Sequence, residues 1–334
     1  MGQTDIGVDI NKIKGKKVLF ITTKNLDYLR NTQEISLIRD CASHLDIIGY
    51  HDKKYVKRLV KVFTHLLFRS LKQYDVIFIG FAPQLILPWF GWKMKKNYIV
   101  MDFFISVYDT MVFDRKKFKE GSIFAKLCRK VDESCIRYGD YIISDTNVHG
   151  DYFSKEFHVK RNKIHTLYLQ ADTSIYYEKK VDKPEKIKDK YVVLYFGSIL
   201  PLQGIEVIMD AVERLKEDKD IYFYIIGPMK DSVKKVESNN VEYINWLPQE
   251  TLAQYINYAD LCLAGHFNKE INKAKRTIPG KAYIYDAMNK PMILGDNKAT
   301  RELYQEDGNK YFVKMGNGAA LADKILSIKE KRKQ

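Results

Sequence analysis

The chain has 334 residues, 46% of them hydrophobic, and carries 56 Lys and Arg against 42 Asp and Glu, a formal charge of +14. That length predicts two globular domains, and that charge favours anionic partners: nucleic acid, an anionic membrane or a phosphorylated substrate. Three classes are set aside: Cys41, Cys128, Cys135 and Cys262 have neither zinc nor redox-pair spacing, no apolar run reaches about 18 residues, and the polar stretch from Met1 to Lys14 does not read as a secretory leader.

In chain order, Lys17–Thr22 is an apolar run that predicts the first strand of a parallel sheet, buried on both faces. A polar loop, Thr23–Asn31, follows, in which Arg30 and Asn31 are candidates to meet a phosphate. Thr32–Leu45 has helical spacing at Ile35, Ile38, Ala42 and Leu45. Further strands are expected at Asp46–Gly49, Tyr74–Gly80, Tyr98–Asp102 and Tyr141–Ser144. Between them, Lys53–Lys72 places Val56, Leu59, Val60, Phe63, Leu67 and Leu71 on one face and cations around the other. That is the profile of a helix lying on an anionic membrane surface. Pro88–Lys96 repeats the theme with Trp89 and Trp92. The other reading of Lys53–Lys72 is a core-packed helix with a basic outer face.

The stretch from Glu178 to Lys190 is almost wholly charged or polar and cannot fill a core. It sets a linker at 177–190, between an N-terminal domain at 1–176 and a C-terminal domain at 191–334. The pattern then restarts, with strands expected at Val192–Phe196, Ile221–Ile226, Val241–Ile244, Leu261–Ala264, Met292–Leu294 and Tyr311–Val313. Helices are expected at Ile205–Leu215, Gln249–Tyr258, Pro279–Met288, Thr300–Tyr304 and Ala319–Glu330, the last packing back on the N-terminal domain. Strands alternating with helical patterns predict an α/β chain of two Rossmann-like, doubly wound domains facing a central cleft.

Two segments carry the chemistry of the second half. An apolar strand runs into Gly197-Ser198-Ile199-Leu200-Pro201-Leu202-Gln203-Gly204 and then a helix, and Lys273-Ala274-Lys275-Arg276-Thr277-Ile278-Pro279-Gly280-Lys281 opens another. Helix N-termini and cations aimed at one spot suit a phosphate. These segments resemble the donor half of the retaining GT-B nucleotide-sugar glycosyltransferases of family 4. The nearest likeness is a branch with a Lys-Ala-x-Arg-x-Ile-Pro-x-Lys motif. In the family pattern Gly-Arg-x-x-x-x-Lys-Gly the two cations meet the donor pyrophosphate; here they are Ser198 and Gln203, which can hydrogen-bond a phosphate oxygen without neutralising it. The family's paired glutamates fall at Arg276 and Ile284, and Asp286 lies on a different helix face.

The resemblance implies a UDP, GDP or dTDP sugar held by Gly197, Ser198, Gln203, Gly204, Arg276, Pro279 and Lys281. The base would lie near Gly227, Pro228 and Trp246, and His266 would be within reach of substrate. Arg276 and Lys281 would replace the lost cations and stabilise the departing diphosphate. Trp246, coming directly after a strand, is expected in the core. In the N-terminal domain the resemblance places the acceptor near the strand ending at Asp102, with Asp102 and Asp109 as catalytic candidates and Ser106 and Arg115 in support. Asp145 and His149 follow the next strand, where Asp145 or Thr146 can equally cap a helix.

The expected activity is sugar transfer to a hydroxyl of a lipid-linked saccharide, with retention of configuration and no metal or other cofactor. The expected location is cytoplasmic, peripheral on the inner face of the plasma membrane. The missing acids support a second reading, a non-catalytic module that activates a partner transferase, and the fold admits a sugar-nucleotide epimerase. No basic–aromatic module supports nucleic-acid binding.

Overall fold

The computed structural model describes residues 10–198, 200–229 and 232–333. The chain divides at Gln170/Ala171 into two compact units. The first holds a six-stranded parallel sheet in the order β2-β1-β3-β4-β5-β6. Its strands are β1 (Lys17–Asn25), β2 (His44–Tyr50), β3 (Val76–Phe81), β4 (Tyr98–Asp102), β5 (Tyr141–Ser144) and β6 (Ile164–Thr166). The apolar run at the start of β1 is buried on both faces, as expected of a central parallel strand.

Helices α2 (Tyr55–Phe68), α3 (Leu87–Met94), α5 (Ile123–Ile136) and α6 (Asn147–Glu156) share one face of this sheet. Leu66, Phe90, Cys135 and Phe153, one from each, lie in a single apolar cluster. On the other face α1 (Leu29–Cys41) contributes Ile35 and Ile38. A short helix α4 (Val107–Asp109), continued by a π-helical turn at Thr110–Asp114, follows β4.

The second unit repeats the architecture, with parallel order β12-β11-β10-β7-β8-β9. Its strands are β7 (Tyr191–Phe196), β8 (Ile221–Ile226), β9 (Val241–Ile244), β10 (Leu261–Gly265), β11 (Met292–Gly295) and β12 (Lys310–Val313). Its helices are α7 (Ile205–Leu215), α8 (Gln249–Tyr258), α9 (Gly280–Ala287), α10 (Lys298–Leu303) and α11 (Gly318–Lys333).

Several sequence expectations are corrected. The loop expected at Thr23–Asn31 is largely strand and helix, because β1 runs to Asn25 and α1 begins at Leu29. The helix expected to reach Leu45 ends at Cys41, since Leu45 pairs with Val18 as part of β2. Its i+3 spacing was shared by chance between two elements. The charged segment 177–190 lies within the second unit, where Ile187 is fully buried and Lys183 Nζ donates to Asp260 at 2.5 Å. The last helix packs in its own unit. Leu321, Ala322, Ile325 and Ile328 make an apolar stripe that meets Ile208 and Val212 of α7, and Lys329 Nζ donates to Asp218 at 2.7 Å.

The segment Lys53–Lys72 is divided between its two readings. Val62 and Leu66 are fully buried in the core, with Leu59 and Phe63 half-buried, and Leu71 is buried beyond the helix. Val56, Val60, Leu67 and Phe68 are exposed. At about 100° per residue Val56, Val60 and Leu67 lie about 120° round the helix from Val62 and Leu66. The helix therefore has a core face and a separate apolar outer strip.

Candidate functional site

The second sheet reverses its strand order between β7 and β10: the chain builds outward through β8 and β9, then returns to build β10, β11 and β12 on the other side. In open α/β sheets, ligands bind beyond the carboxyl ends of the strands at such a point. The loops after β7 and β10 meet there. Phe267 N donates to Gln203 O at 3.1 Å, and Asn268 Nδ2 to Pro201 O at 3.0 Å.

Two glycines allow the close approach. Gly204 has φ +71°, and a Cβ on it would fall 2.6 Å from Asn268 N. Gly227, at the end of β8, has φ +141°, and its Cβ would lie 2.1 Å from the carbonyl oxygen of Gly197. Only backbone without a side chain fits there. Gly227→Ala should cost on the order of 2 kcal/mol or more and weaken ligand binding by the second unit, read from the urea midpoint and from nucleotide titration.

Into this spot α9 sends Lys281, a side chain only 6% exposed. Its Nζ donates to Gln203 Oε1 at 2.6 Å and sits 4.5 Å from the centre of the Tyr195 ring. A Cβ on Gly197 would lie 3.1 Å from Lys281 Cε, which places the loop backbone against the lysine stem. Among the described residues no carboxylate pairs with Lys281. Burial alone therefore pulls its ammonium down to about 7. A desolvated cation beside a glycine-shaped backbone is a preformed anion site.

The remaining second-unit candidates fall around this centre. Pro279 is the extended N-cap of α9 rather than part of its first turn. Arg276 is half-buried and follows the short turn Asn272–Lys275. His266, buried at the end of β10, is 3.0 Å through Nδ1 from Thr277 O, so it braces the loop carrying Arg276. Ser198 is exposed, and its neighbour Ile199 in the expected motif lies outside the described residues. Asp286 pairs with Lys310 at 3.1 Å, so it is committed to a surface ion pair. Trp246, expected in the core, is 72% exposed instead, because it lies two residues past β9, an edge strand of the sheet.

In the first unit, Asp102 ends β4 and is gripped by a guanidinium fork: Arg30 Nε to Oδ2 at 2.9 Å and Nη2 to Oδ1 at 3.0 Å. Both residues are buried, and Arg30 also donates to Leu167 O. Asn31 is likewise tied internally, to Asn25 O at 2.8 Å. Glu34 lies 3.6 Å from Arg30 Nε, with burial pushing its carboxyl well above the usual range and Asp102 adding to the rise. Burial also raises Asp102, against the pull of Arg30. Of the two carboxyls, Glu34 is therefore the one burial holds more strongly in its neutral form.

Asp109 is 1% exposed in the short helix after β4, and Tyr152 Oη donates to it at 3.3 Å. Ser106 is the N-cap of that helix, accepting from Asp109 N at 2.9 Å, while Arg115 is exposed past its end. Thr146 caps α6, and Asp145 meets His149 Nδ1 at 2.6 Å.

Sequence reading missed Asp132. From the core side of α5 this carboxylate accepts from Ser106 Oγ (2.7 Å), Tyr108 N (2.8 Å), Gln84 Nε2 (2.8 Å) and Val107 N (3.1 Å). It thus fixes the segment that carries Asp109. The signal that could have found it was an acid in the apolar stripe Ala125, Cys128, Asp132, Cys135, where an unpartnered carboxylate is too costly to persist.

Residues 190–331 match the family model described as Glycosyl transferases group 1. A curated relative, an uncharacterized 41.2 kDa protein in the cps region of Klebsiella pneumoniae, is 23% identical over 209 residues, and the match spans 59% of this chain and 56% of that protein. Among solved structures, Anabaena Alr3699/HepE in complex with UDP and glucose is similar with a TM-score of 0.61 at 12% identity, covering 95% of this chain and 91% of that one. Sucrose-phosphate synthase from Thermosynechococcus elongatus gives 0.65 at 13% identity, covering 94% and 90%. A glycosyltransferase from Rickettsia africae gives 0.62 at 13% identity, covering 94% and 88%. These likenesses establish the fold over nearly the whole chain. The chain thus has the GT-B fold, two doubly wound sheets in series, and its residues 190–331 match a glycosyl transferases group 1 domain.

Proposed function

We propose that the chain is a glycosyltransferase that moves a sugar from a nucleotide-diphosphate donor to a hydroxyl of a lipid-linked saccharide at the inner face of the plasma membrane. The observation that carries the donor half is Lys281, a buried cation with a carbonyl and a ring face as neighbours and, among the described residues, no acid to neutralise it. The diphosphate supplies that anion. As the glycosidic bond breaks, charge grows on the leaving phosphate, and Lys281 with Arg276 stabilises it in a dry setting, so no metal is required. Ser198 and Gln203 add neutral hydrogen bonds, and Gly197, Gly204, Gly227 and Pro279 shape the backbone around the phosphates. His266 positions the Arg276 loop. UDP is the favoured base-bearing group, since Alr3699/HepE was solved with UDP and glucose.

In the first unit the proposed acceptor residue is Asp109, orienting the attacking hydroxyl, while Asp102 at the end of β4 holds Arg30. Retention follows the family resemblance. The lipid-linked acceptor is supported by the outer apolar strip of α2 with its lysines, and by a relative encoded in a cps region.

The test is nucleotide release from UDP-, GDP- and dTDP-sugars, with and without a bacterial lipid extract. Release from one donor, raised by lipid, supports the whole reading. Release unaffected by any lipid removes the lipid-linked acceptor. No release from any donor by folded protein favours a non-catalytic module, the reading to which the residues Arg276 and Ile284 at the family's glutamate positions point.

A further inference from the structure

Helix α5 is two-sided in an unusual way at its start. Ala125, Asp132, Cys135 and Ile136 face inward. Ile123, Phe124 and Leu127 point outward and are 83%, 61% and 58% exposed. Exposed side chains of this size are normal when single; three together on one turn and a half form a patch. The preceding loop and the helix add six exposed cations, Arg115, Lys116, Lys117, Lys119, Lys126 and Lys130, against one exposed acid, Glu120. None of the six takes part in an ion pair among the described residues.

The patch has neighbours of the same character. Helix α3 packs beside α5, where Gly91 meets the Tyr138 ring just past the end of that helix, and its Trp89 and Trp92 are 66% and 65% exposed. Lys93 of α3 donates through Nζ to the carbonyls of Leu66 and Leu67, at the end of α2. The three helices thus form one layer whose outer surface carries bulky apolar groups among cations.

We infer that the start of α5 is a second membrane-docking element: Ile123, Phe124 and Leu127 insert into an anionic bilayer while the surrounding lysines meet lipid phosphates. The unpaired positive charge identifies the partner as anionic, and the protruding apolar tips match the headgroup–acyl boundary, where amphipathic helices bury their apolar side. The inference rests on the membrane-proximal reading above and is independent of the donor chemistry.

The experiment uses the full chain and vesicles of phosphatidylethanolamine with or without phosphatidylglycerol. Wild type should sediment with the anionic vesicles and not with the neutral ones. The triple variant Ile123→Ser/Phe124→Ser/Leu127→Ser should partition tenfold or more weakly, with its melting temperature and its nucleotide release in solution unchanged. As a second readout, brominated lipid should quench Trp89 and Trp92 in a Trp246→Phe background, and quenching should fall with the α5 variant. Equal partition of wild type and variant overturns the inference. So does loss of self-association in the variant without any vesicle binding by wild type, which would make the patch an interface with a second copy. Vesicle binding without nucleotide release would leave the inference standing and remove the transferase reading instead.

Discussion

Lys281→Met should lower nucleotide-sugar turnover by roughly a hundredfold or more, the scale expected when one preorganised charge is removed from a dry site. The same change should leave the protein folded and, at neutral pH and below, no less stable. The reason is the burial of the ammonium. Its folded value of about 7 lies below that of a free lysine. Between those two values the unfolded chain binds more protons than the folded one, so stability rises with pH across that window. Below about pH 7 the wild type bears the full cost of a buried charge, which methionine removes. Donor binding has the opposite sign. Free enzyme above about pH 7 must take up a proton to meet the diphosphate, so affinity should be flat below that value and fall by up to about tenfold per unit above it. Donor titrations by calorimetry from about pH 6 to 9 would read this slope, and the methionine variant should show none. A wild-type affinity that does not vary with pH would place the phosphate elsewhere.

Arg30→Ala should destabilise the first unit by about 3–5 kcal/mol, because it strands one buried carboxylate and removes the cation beside a second. The deficit should widen as pH rises above about 4, since the folded variant must then hold Asp102 neutral as well as Glu34, whereas Asp102 ionises freely when unfolded. Asp102→Asn should cost less. Arg30 would keep its charge, and Glu34 at 3.6 Å can surrender its proton to become the new partner. Urea midpoints of the two variants across pH give the comparison. Equal costs would show that Glu34 is no reserve carboxylate. The Asn variant also bears on Asp102 as a catalytic candidate. A rate loss at unchanged KM with the fold intact would assign it to the chemistry, whereas parallel losses of stability and rate would assign it to holding Arg30.

The parts of the site legible in the sequence were those whose geometry is local. The strand–turn–helix around Gly197–Gly204 is written in a run of apolar residues, a glycine and an amphipathic stripe. The proline–lysine start of α9 is equally local. What stayed hidden was joined across the chain. Gln203 and Lys281 are 78 residues apart, Arg30 and Asp102 are 72 apart, and no periodicity couples either pair. Asp132 was hidden for the same reason, since its four donors come from two other segments.

By itself the sequence determined two α/β halves, most of their strands and the glycines at which backbone must approach backbone. Short-range patterning suffices for these, because burial on both faces and helical spacing are properties of a few consecutive residues. Tertiary structure alone decided which side of α2 faces the core, that Trp246 lies exposed, and that 177–190 and α11 belong to the second unit. It also decided that Lys281 is buried and Arg30 is spoken for. Burial and ion pairing depend on which surfaces the sheet order brings together, and that order emerges only once the strands are assembled.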